Sequence, residues 1–511
     1  MKIKVFFFAT LIAAGASAQP APAPAPAPAP AAAPAAGTAP FPDAVPGPKV
    51  DDTATVLAPV PGGLTAEIAA RKTQLNSHTV RARLAELDAA RARLDQTTAQ
   101  FLPRLTLRAQ YARLSPVTSG LGSGALVGAQ NPGLLGVGPC PTGAGQCVLD
   151  AQGQPVGAAK FEIENFEDTY ALTASLNVPI SDYVLRLSNA TAGASANRRA
   201  AELQVKAERL KVRTDAQALY YDWLRAKGRV AVAEKSLERT AARLRDAKPS
   251  YELGAITKAD LMRLEALAAN TEQVLLEAKA FRDLTQVQLA VLMGEKREIA
   301  FTVGEDVNTP LPAIKGDLES FSREALATRT ELKALAEAGR ALKLASSAVK
   351  VGAYPRLEAF GDVTYANPNP RFFPQQREWN ATWSVGVAAT WTVGDAFING
   401  ASSRELGANA RAVEEQRLAL ADGIRQEVAQ YYLARERADG ALRTARRGLA
   451  ASEEAYRVST DLFRVGKNTT TELIESETDL LTSRLIEIGA RLELRIAEVR
   501  LRHAVGRDIS R

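Results

Sequence analysis

Histidine and cysteine are almost missing from this chain, with two of each in 511 residues. His78 and His503 stand far apart in helical tracts, and Cys140 and Cys147 share one Gly/Pro-rich stretch. No Ser/His/Asp, Cys/His or metal-ligand grouping can be assembled from such a set, so neither an enzyme nor a cofactor or metal is expected. Methionine is nearly absent and aromatics are 6%, while Ala, Leu, Arg and Glu fill long tracts. That mixture suits long helices better than a compact core. No charge of one sign accumulates either: 63 basic and 57 acidic residues interleave to a net +6. Without a basic patch there is no footprint for nucleic acid.

The N-terminus has Lys2 and Lys4, an apolar run from Val5 to Ala16, and then Ala16-Ser17-Ala18. The run is too short to span a bilayer as a helix and reads as a signal peptide, residues 1–18, cut after Ala18. No cysteine lies near the cut, so lipid attachment there is not expected. Export to an oxidising compartment makes a local disulfide between Cys140 and Cys147 the favoured reading. Gln19 to Pro48 is rich in alternating Pro and Ala and cannot pack a core, and residues 19–62 read as a tether.

From Leu64 the text is helical, with Thr65 placed to cap and Pro103 to break. The period then switches to two: Leu105, Leu107, Ala109 and Tyr111 against Thr106, Arg108 and Gln110. A second strand sets Tyr170, Leu172, Ala174, Leu176 and Val178 against Thr173, Ser175 and Asn177. Between them, roughly Ser115 to Asn165, lies a Gly/Pro-rich stretch read as an exposed loop. Its "SGLGSG" (Ser119–Gly124) lacks the following helix that a phosphate-binding loop needs. A long helix follows from about Asn189 to Asp246. Its heptad seam runs Leu219, Trp223, Ala226, Val230, Ala233, Leu237, Leu244, with Thr240 the polar interruption. Pro249 and Gly254 are expected to end it, and a second helix returns from about Thr257 to Met293.

The second half repeats this programme. Pro355-Arg356-Leu357 stands for Pro103-Arg104-Leu105, and "AQYYLARER" matches "ALYYDWLRA". "YELGAITKADLMRLEA" and "FRVGKNTTTELIESET" share a glycine turn followed by an acidic helix start. The chain is a tandem duplication, divided into 63–315 and 316–511, each half a helix, two strands and a helical hairpin.

Strands of about nine to eleven residues with aromatic ends (Tyr111, Tyr170, Tyr365, Trp383, Trp391) suit a tilted crossing of an outer membrane. Backbone groups in lipid must be paired, so four strands cannot close alone and two or three chains must share one barrel. Thr106, Arg108, Gln110, Thr173, Asn177, Glu358 and Asp362 then face a watery lumen, where Gly386 and Ala388 add little obstruction. The charged helices project to one side and bury their seams against one another.

These residues together resemble the TolC-like outer-membrane efflux family, over about Leu64 to Gly506. The resemblance rests on the duplication, the Leu-Pro-Arg-Leu and Tyr-Pro-Arg-Leu corners, the Tyr-Tyr stretches and the two glycine turns. It implies an α+β membrane fold: a homotrimer whose twelve strands form one outer-membrane barrel, continued into the periplasm by an α-helical coiled-coil tunnel. It also implies a passive exit duct working with a periplasmic adaptor and an inner-membrane pump of the RND or ABC type. By that matching, Leu253, Gly254, Ala255 and Thr257, with Val465, Gly466, Lys467 and Thr469, are adaptor-docking tips. Glu472 and Glu475 carry over as a ring of carboxylates whose crowding should raise their pKa. Asp260 matches a gate residue, while the family's Tyr and Arg gate partners are replaced by Phe463 and Asn468, so Phe463 would close the mouth by apolar contact. An outer-membrane component of type I protein secretion is the alternative. A periplasmic adaptor or a structural coiled-coil tether is more remote, since neither needs two hairpins each preceded by amphipathic strands.

Overall fold

The structure is a computed structural model that describes residues 57–116, 135–141, 143–156, 166–296, 300–312 and 315–507. The signal segment, most of the expected tether and the Ser119–Gly124 glycine run lie outside the described residues. The first half comprises α1 (Ala66–Asn76), α2 (His78–Ala99), β1 (Arg104–Arg113), β2 (Gly136–Pro139) and β3 (Gln146–Leu149). It continues with β4 (Asp168–Val178), α3 (Ser188–Glu252) and α4 (Lys258–Met293). The second half comprises α5 (Leu318–Thr328), α6 (Thr330–Val351), β5 (Arg356–Asn367), β6 (Asn380–Thr390), α7 (Val393–Arg464) and α8 (Thr470–Val505).

Corresponding elements keep constant spacings. Elements starting at 66, 78 and 104 recur at 318, 330 and 356, an offset of 252. Those starting at 168 and 258 recur at 380 and 470, an offset of 212. The difference of 40 residues therefore falls entirely in the segment joining β1 to β4. That segment is more than the bare loop expected: β2 and β3 form an antiparallel hairpin, and Cys140 and Cys147 are disulfide-bonded across it. The same offset corrects the pairing of the Tyr-Tyr stretches by one residue. Buried Val212, Ala216, Ala226, Val230 and Ala233 correspond to buried Ile424, Val428, Ala438, Leu442 and Ala445, so Tyr220 corresponds to Tyr432 and Trp223 to Arg435.

The four long strands make one antiparallel sheet, ordered β1–β4–β5–β6. Its apolar side chains fall in register: Leu107 beside Ala174, Ala174 beside Val363, Val363 beside Trp383. This face is bare, Leu107 being 75% exposed and Trp383 71%. The opposite face carries Thr106, Ser175, Asp362 and Ser384 in one row, and Asn177 donates to Glu358 at 3.1 Å. Gly386 on that face is not open space, because a Cβ there would come 2.8 Å from the Phe360 ring that covers it. Tyr111, Tyr170, Tyr365 and Trp379 gather at the end away from the helices, with Tyr365 and Trp379 stacked at 4.9 Å. Trp391 lies at the helix end, whereas Trp383 sits further in, beside Val363. All helix connections leave one end of the sheet, and β1 and β6 are its two free edges.

Two sets of helices pack below the sheet. Near it the order is α2–α3–α6–α7; further away it is α4–α3–α8–α7. The heptad seam of α3 is buried around Trp223, Ala226 and Ala233, and the buried Thr240 hydroxyl donates to the Ser236 carbonyl at 2.9 Å. The first helix is not continuous as expected. Ser77 adopts extended backbone (ψ 123°) and its hydroxyl accepts from Val80 N–H, so α1 stops and α2 starts there. Pro249 does not end α3, which runs to Glu252. A proline costs a helix one backbone bond, and near the last turn that loss is local. Two cores straddle the hairpin bases. One surrounds Tyr220, Trp223, Leu289, Met293 and Leu492; the other surrounds Phe321, Ile424, Val428 and Val505. Each large side chain so buried contributes about 1.5–3 kcal/mol. Leu57, from the end of the expected tether, is buried in the first core, and Val60 N–H donates to the Val303 carbonyl at 2.7 Å.

Candidate functional site: the hairpin tips and tunnel mouth

The two hairpins turn by the same chemistry. At the end of α3, Gly254 has φ +73°; its N–H donates to Tyr251 O at 2.9 Å and Ala255 N–H donates to Ser250 O at 2.8 Å. At the end of α7, Gly466 has φ +69°, with Gly466 N–H on Phe463 O at 3.0 Å and Lys467 N–H on Leu462 O at 2.9 Å. This paired closure satisfies the last free carbonyls of each helix and needs a left-handed residue, hence glycine. Three residues later Thr257 and Thr469 cap the returning helices, reciprocated by Asp260 and Glu472 in full capping boxes. Leu253 and Val465 stand at the apices, 85% and 62% exposed, flanked by exposed Ala255 and Lys467.

The mouth residues are placed as follows. Asp260 accepts from Thr257 Oγ1 at 2.6 Å and, at 3.4 Å, from Arg263. Arg263 also donates to Thr471 Oγ1 of α8 at 3.0 Å, tying the two hairpins together. Asn468 is turned back on its own hairpin, donating to Ser459 Oγ at 2.6 Å. Phe463 is half-buried in the last turn of α7. Glu472 accepts Thr469 N–H at 2.8 Å and its hydroxyl at 2.9 Å. Within one chain the Thr469 backbone N–H, and then its hydroxyl, hold the Glu472 carboxyl below the usual carboxylate range. Glu475, one turn on, is exposed.

The helices cannot themselves cross a bilayer: among the described residues none is long and apolar enough. The sheet, by contrast, has one apolar face bare, one polar face and two unpaired edges, which is how part of a shared barrel must look. The sequence profile of the outer membrane efflux proteins matches residues 69–295 and 321–507, both halves of the duplication. The chain belongs to the outer membrane efflux protein family.

The outer membrane efflux protein BepC of Brucella suis is 24% identical over 321 residues, 60% of this chain and 67% of that protein. The fold is that of the outer-membrane channel OprN (TM-score 0.66, 17% identity, 90% of this chain and 96% of that one). It also matches VceC of Vibrio cholerae (TM-score 0.66, 16% identity, 87% and 97% covered). Channels of this family are homotrimers that work with adaptor and pump partners, so this efflux protein is an outer-membrane exit duct with its helices in the periplasm. Three sheets supply the twelve strands of the barrel.

Sequence reasoning passed over two features of this efflux protein. Arg263 was one turn from Asp260 and could have been read as its i,i+3 partner. A second cluster joins α3 to the other hairpin: Arg243 donates to buried Glu477 and, at 2.5 Å, to the Tyr456 hydroxyl. Its only trace in the sequence was Glu477 standing opposite Glu265 in the duplicated tips.

Proposed function

We propose that this channel is the passive exit duct of a tripartite small-molecule efflux system. Its two apices receive a periplasmic adaptor, which couples it to an inner-membrane pump of the RND or ABC type. The observation that carries the docking reading is the pair of solvent-exposed apolar apices, Leu253 and Val465, each mounted on an identically built turn. Apolar side chains held out on rigid turns are what a helical partner can cover. Efflux is preferred over protein secretion because the family and BepC are both described as efflux proteins. In this reading the chain is cut after Ala18, the Pro/Ala-rich residues before Leu57 tether it, and Cys140–Cys147 sits on the cell exterior.

Glu472 and Glu475, spaced i,i+3, offer six carboxylates around the axis of a trimer and select cations there. Asp260, Phe463 and Asn468 complete the mouth, with Asn468 bracing the turn rather than bridging hairpins. The test pairs Leu253→Asp with Val465→Asp. Trimers and bilayer conductance should persist while pump-linked export is lost; export at the parent level would refute tip docking. Glu472→Gln with Glu475→Gln should lower cation selectivity in planar bilayers, and unchanged reversal potentials would remove the ring.

A further inference from the structure

Between α3 and α7 the layer passes from one helix to another, where α8 ends at Val505 and α6 begins at Thr330. Arg329 closes this joint. It is 6% exposed and donates to Glu427 at 3.1 Å and to the Ala504 carbonyl at 3.2 Å. Beside the joint a cavity of about 530 Å³ opens between α3, α7 and α8. Lys211, Asp215 and Asp222 line it from α3, Tyr431 from α7, and Arg500 and His503 from α8. Small-molecule sites occupy roughly 300–1,000 Å³. The side on which it opens follows from α3. Tyr220 and Tyr221 hold the segments around Leu64 and Glu305, donating to the Leu64 carbonyl at 2.7 Å and to Glu305 at 2.8 Å. At about 100° per residue, Lys211, Asp215 and Asp222 fall on the opposite side of the helix from Tyr220. The cavity therefore opens on the face of the layer away from those segments. In a closed ring of copies that face is the tunnel wall, because the segments would otherwise fill the duct.

Part of the charge around this cavity is already spent. Asp222 is paired with Arg225, and Glu427 with Arg329. Lys211, Arg500 and Asp215 make no ion pair among the described residues. Two cations against one anion leave an excess of positive charge, to which His503, 3.7 Å from Glu427, adds when protonated. The duplication supplies an internal comparison. The same joint recurs in the first half: Asn76 donates to the Met293 carbonyl as Thr328 does to that of Val505. There α7 stands for α3 and α4 of the next copy stands for α8. The counterparts of Lys211, Asp222, Arg500 and His503 are Gly423, Ala434, Gln288 and Val291. One joint is thus built with no titratable group at these four positions, so the packing of the joint does not require them.

We propose that this cavity is a binding station for an amphipathic organic anion, with Lys211 and Arg500 meeting its carboxylate or sulfonate and the Tyr431 ring its apolar body. Its place on the exit route rests on the duct reading above; the binding itself does not. Its cations are exposed and its mouth is open, so it can release what it takes, as transit requires. The test is isothermal titration calorimetry on full-length trimers in nanodiscs, with 1-naphthalenesulfonate as probe and the cation 1-naphthylmethylammonium as its counterpart. The parent should bind the sulfonate more tightly than the ammonium. Lys211→Gln and Arg500→Gln should each weaken sulfonate binding roughly three- to fivefold, the upper span of one exposed ion pair. Tyr431→Ala should weaken both probes, and Asp215→Asn should tighten the sulfonate. Lys248→Gln, far down α3, should leave it unchanged. No sulfonate binding, a preference for the ammonium, parent affinity in both Lys211→Gln and Arg500→Gln, or equal weakening by Lys248→Gln would overturn the station while leaving the duct. Trimers that bind the sulfonate at this cavity yet conduct nothing in planar bilayers would keep the station and remove the duct reading.

Discussion

Replacing Gly254 and Gly466 by alanine tests the tips with the least collateral change. Their φ values are +73° and +69°, and a Cβ built at either position meets nothing within 4 Å. The cost therefore comes from left-handed backbone alone, about 1–2 kcal/mol per site. It falls on the paired bonds that close α3 and α7, Ala255 N–H to Ser250 O (2.8 Å) and Lys467 N–H to Leu462 O (2.9 Å), not on the helix packing above. A loss of that size shifts a local opening equilibrium by about 5–30-fold. Hydrogen exchange on intact trimers reads this directly: the amides of Leu253–Ala255 and Val465–Lys467 should exchange faster by that factor, with an unchanged Tm. Asparagine tolerates the left-handed region and should recover most of the protection. Pump-linked export should be lost in the alanine variants and kept in the asparagine ones. Unchanged exchange at the tips, or a general fall in Tm, would refute the claim that the turns are local and strain-limited.

Gly63→Ala should behave oppositely, because its Cβ would sit 2.4 Å from the Val303 carbonyl oxygen, which is backbone and cannot yield. A loss of about 1–3 kcal/mol and a lower Tm are expected, and a parent-like Tm would refute that close approach. Burial pushes the Glu477 carboxyl up, against the pull of Arg243 and Arg239. A raised folded pKa contributes stability that is present below the unfolded value and lost as pH rises through the folded one. Glu477→Gln should therefore flatten the fall in Tm between acidic and neutral pH, and parallel Tm–pH curves would exclude that contribution. Glu472 shifts the other way: its depressed carboxyl lends the α8 start stability present above the unfolded pKa and lost as pH falls through the folded one. Thr469→Ala should cost that helix start about 1 kcal/mol and lessen its acid sensitivity without abolishing it, because the backbone N–H at 469 still donates to Glu472, as followed by exchange at Thr470–Leu473.

Much of this architecture was legible because its signals are local and periodic. Alternation of two marked β1, β4, β5 and β6; Thr65, Thr257 and Thr469 announced helix starts; Gly254 and Gly466 announced turns. The misreadings have local causes too. The break at Ser77 hid inside an amphipathic pattern that continues on both sides, although Asn-Ser before His78 carries a capping signal. Pro249 looked like a stop because a proline's lost bond matters less in the last turns than a sequence rule assumes. The hairpin of β2 and β3 was masked by glycines and prolines that elsewhere mean bare loop.

Periodicity and duplication, read from the residues alone, determined that this protein is built of amphipathic ribbons and long seamed helices, and that one copy leaves its sheet unclosed. Patterns repeating every two or seven residues report which face of an element meets apolar surroundings, and that needs no knowledge of its neighbour. Which side chains meet across elements was decided only by the tertiary structure. Arg243 and Glu477 lie 234 residues apart, and nothing local distinguishes them from the many solvated charges of the same helices. Asn468 likewise found Ser459 rather than another hairpin, because the glycine turn folds the chain back on itself at that point. Long-range pairing depends on the rotation and stagger of packed helices, which add up over the whole bundle.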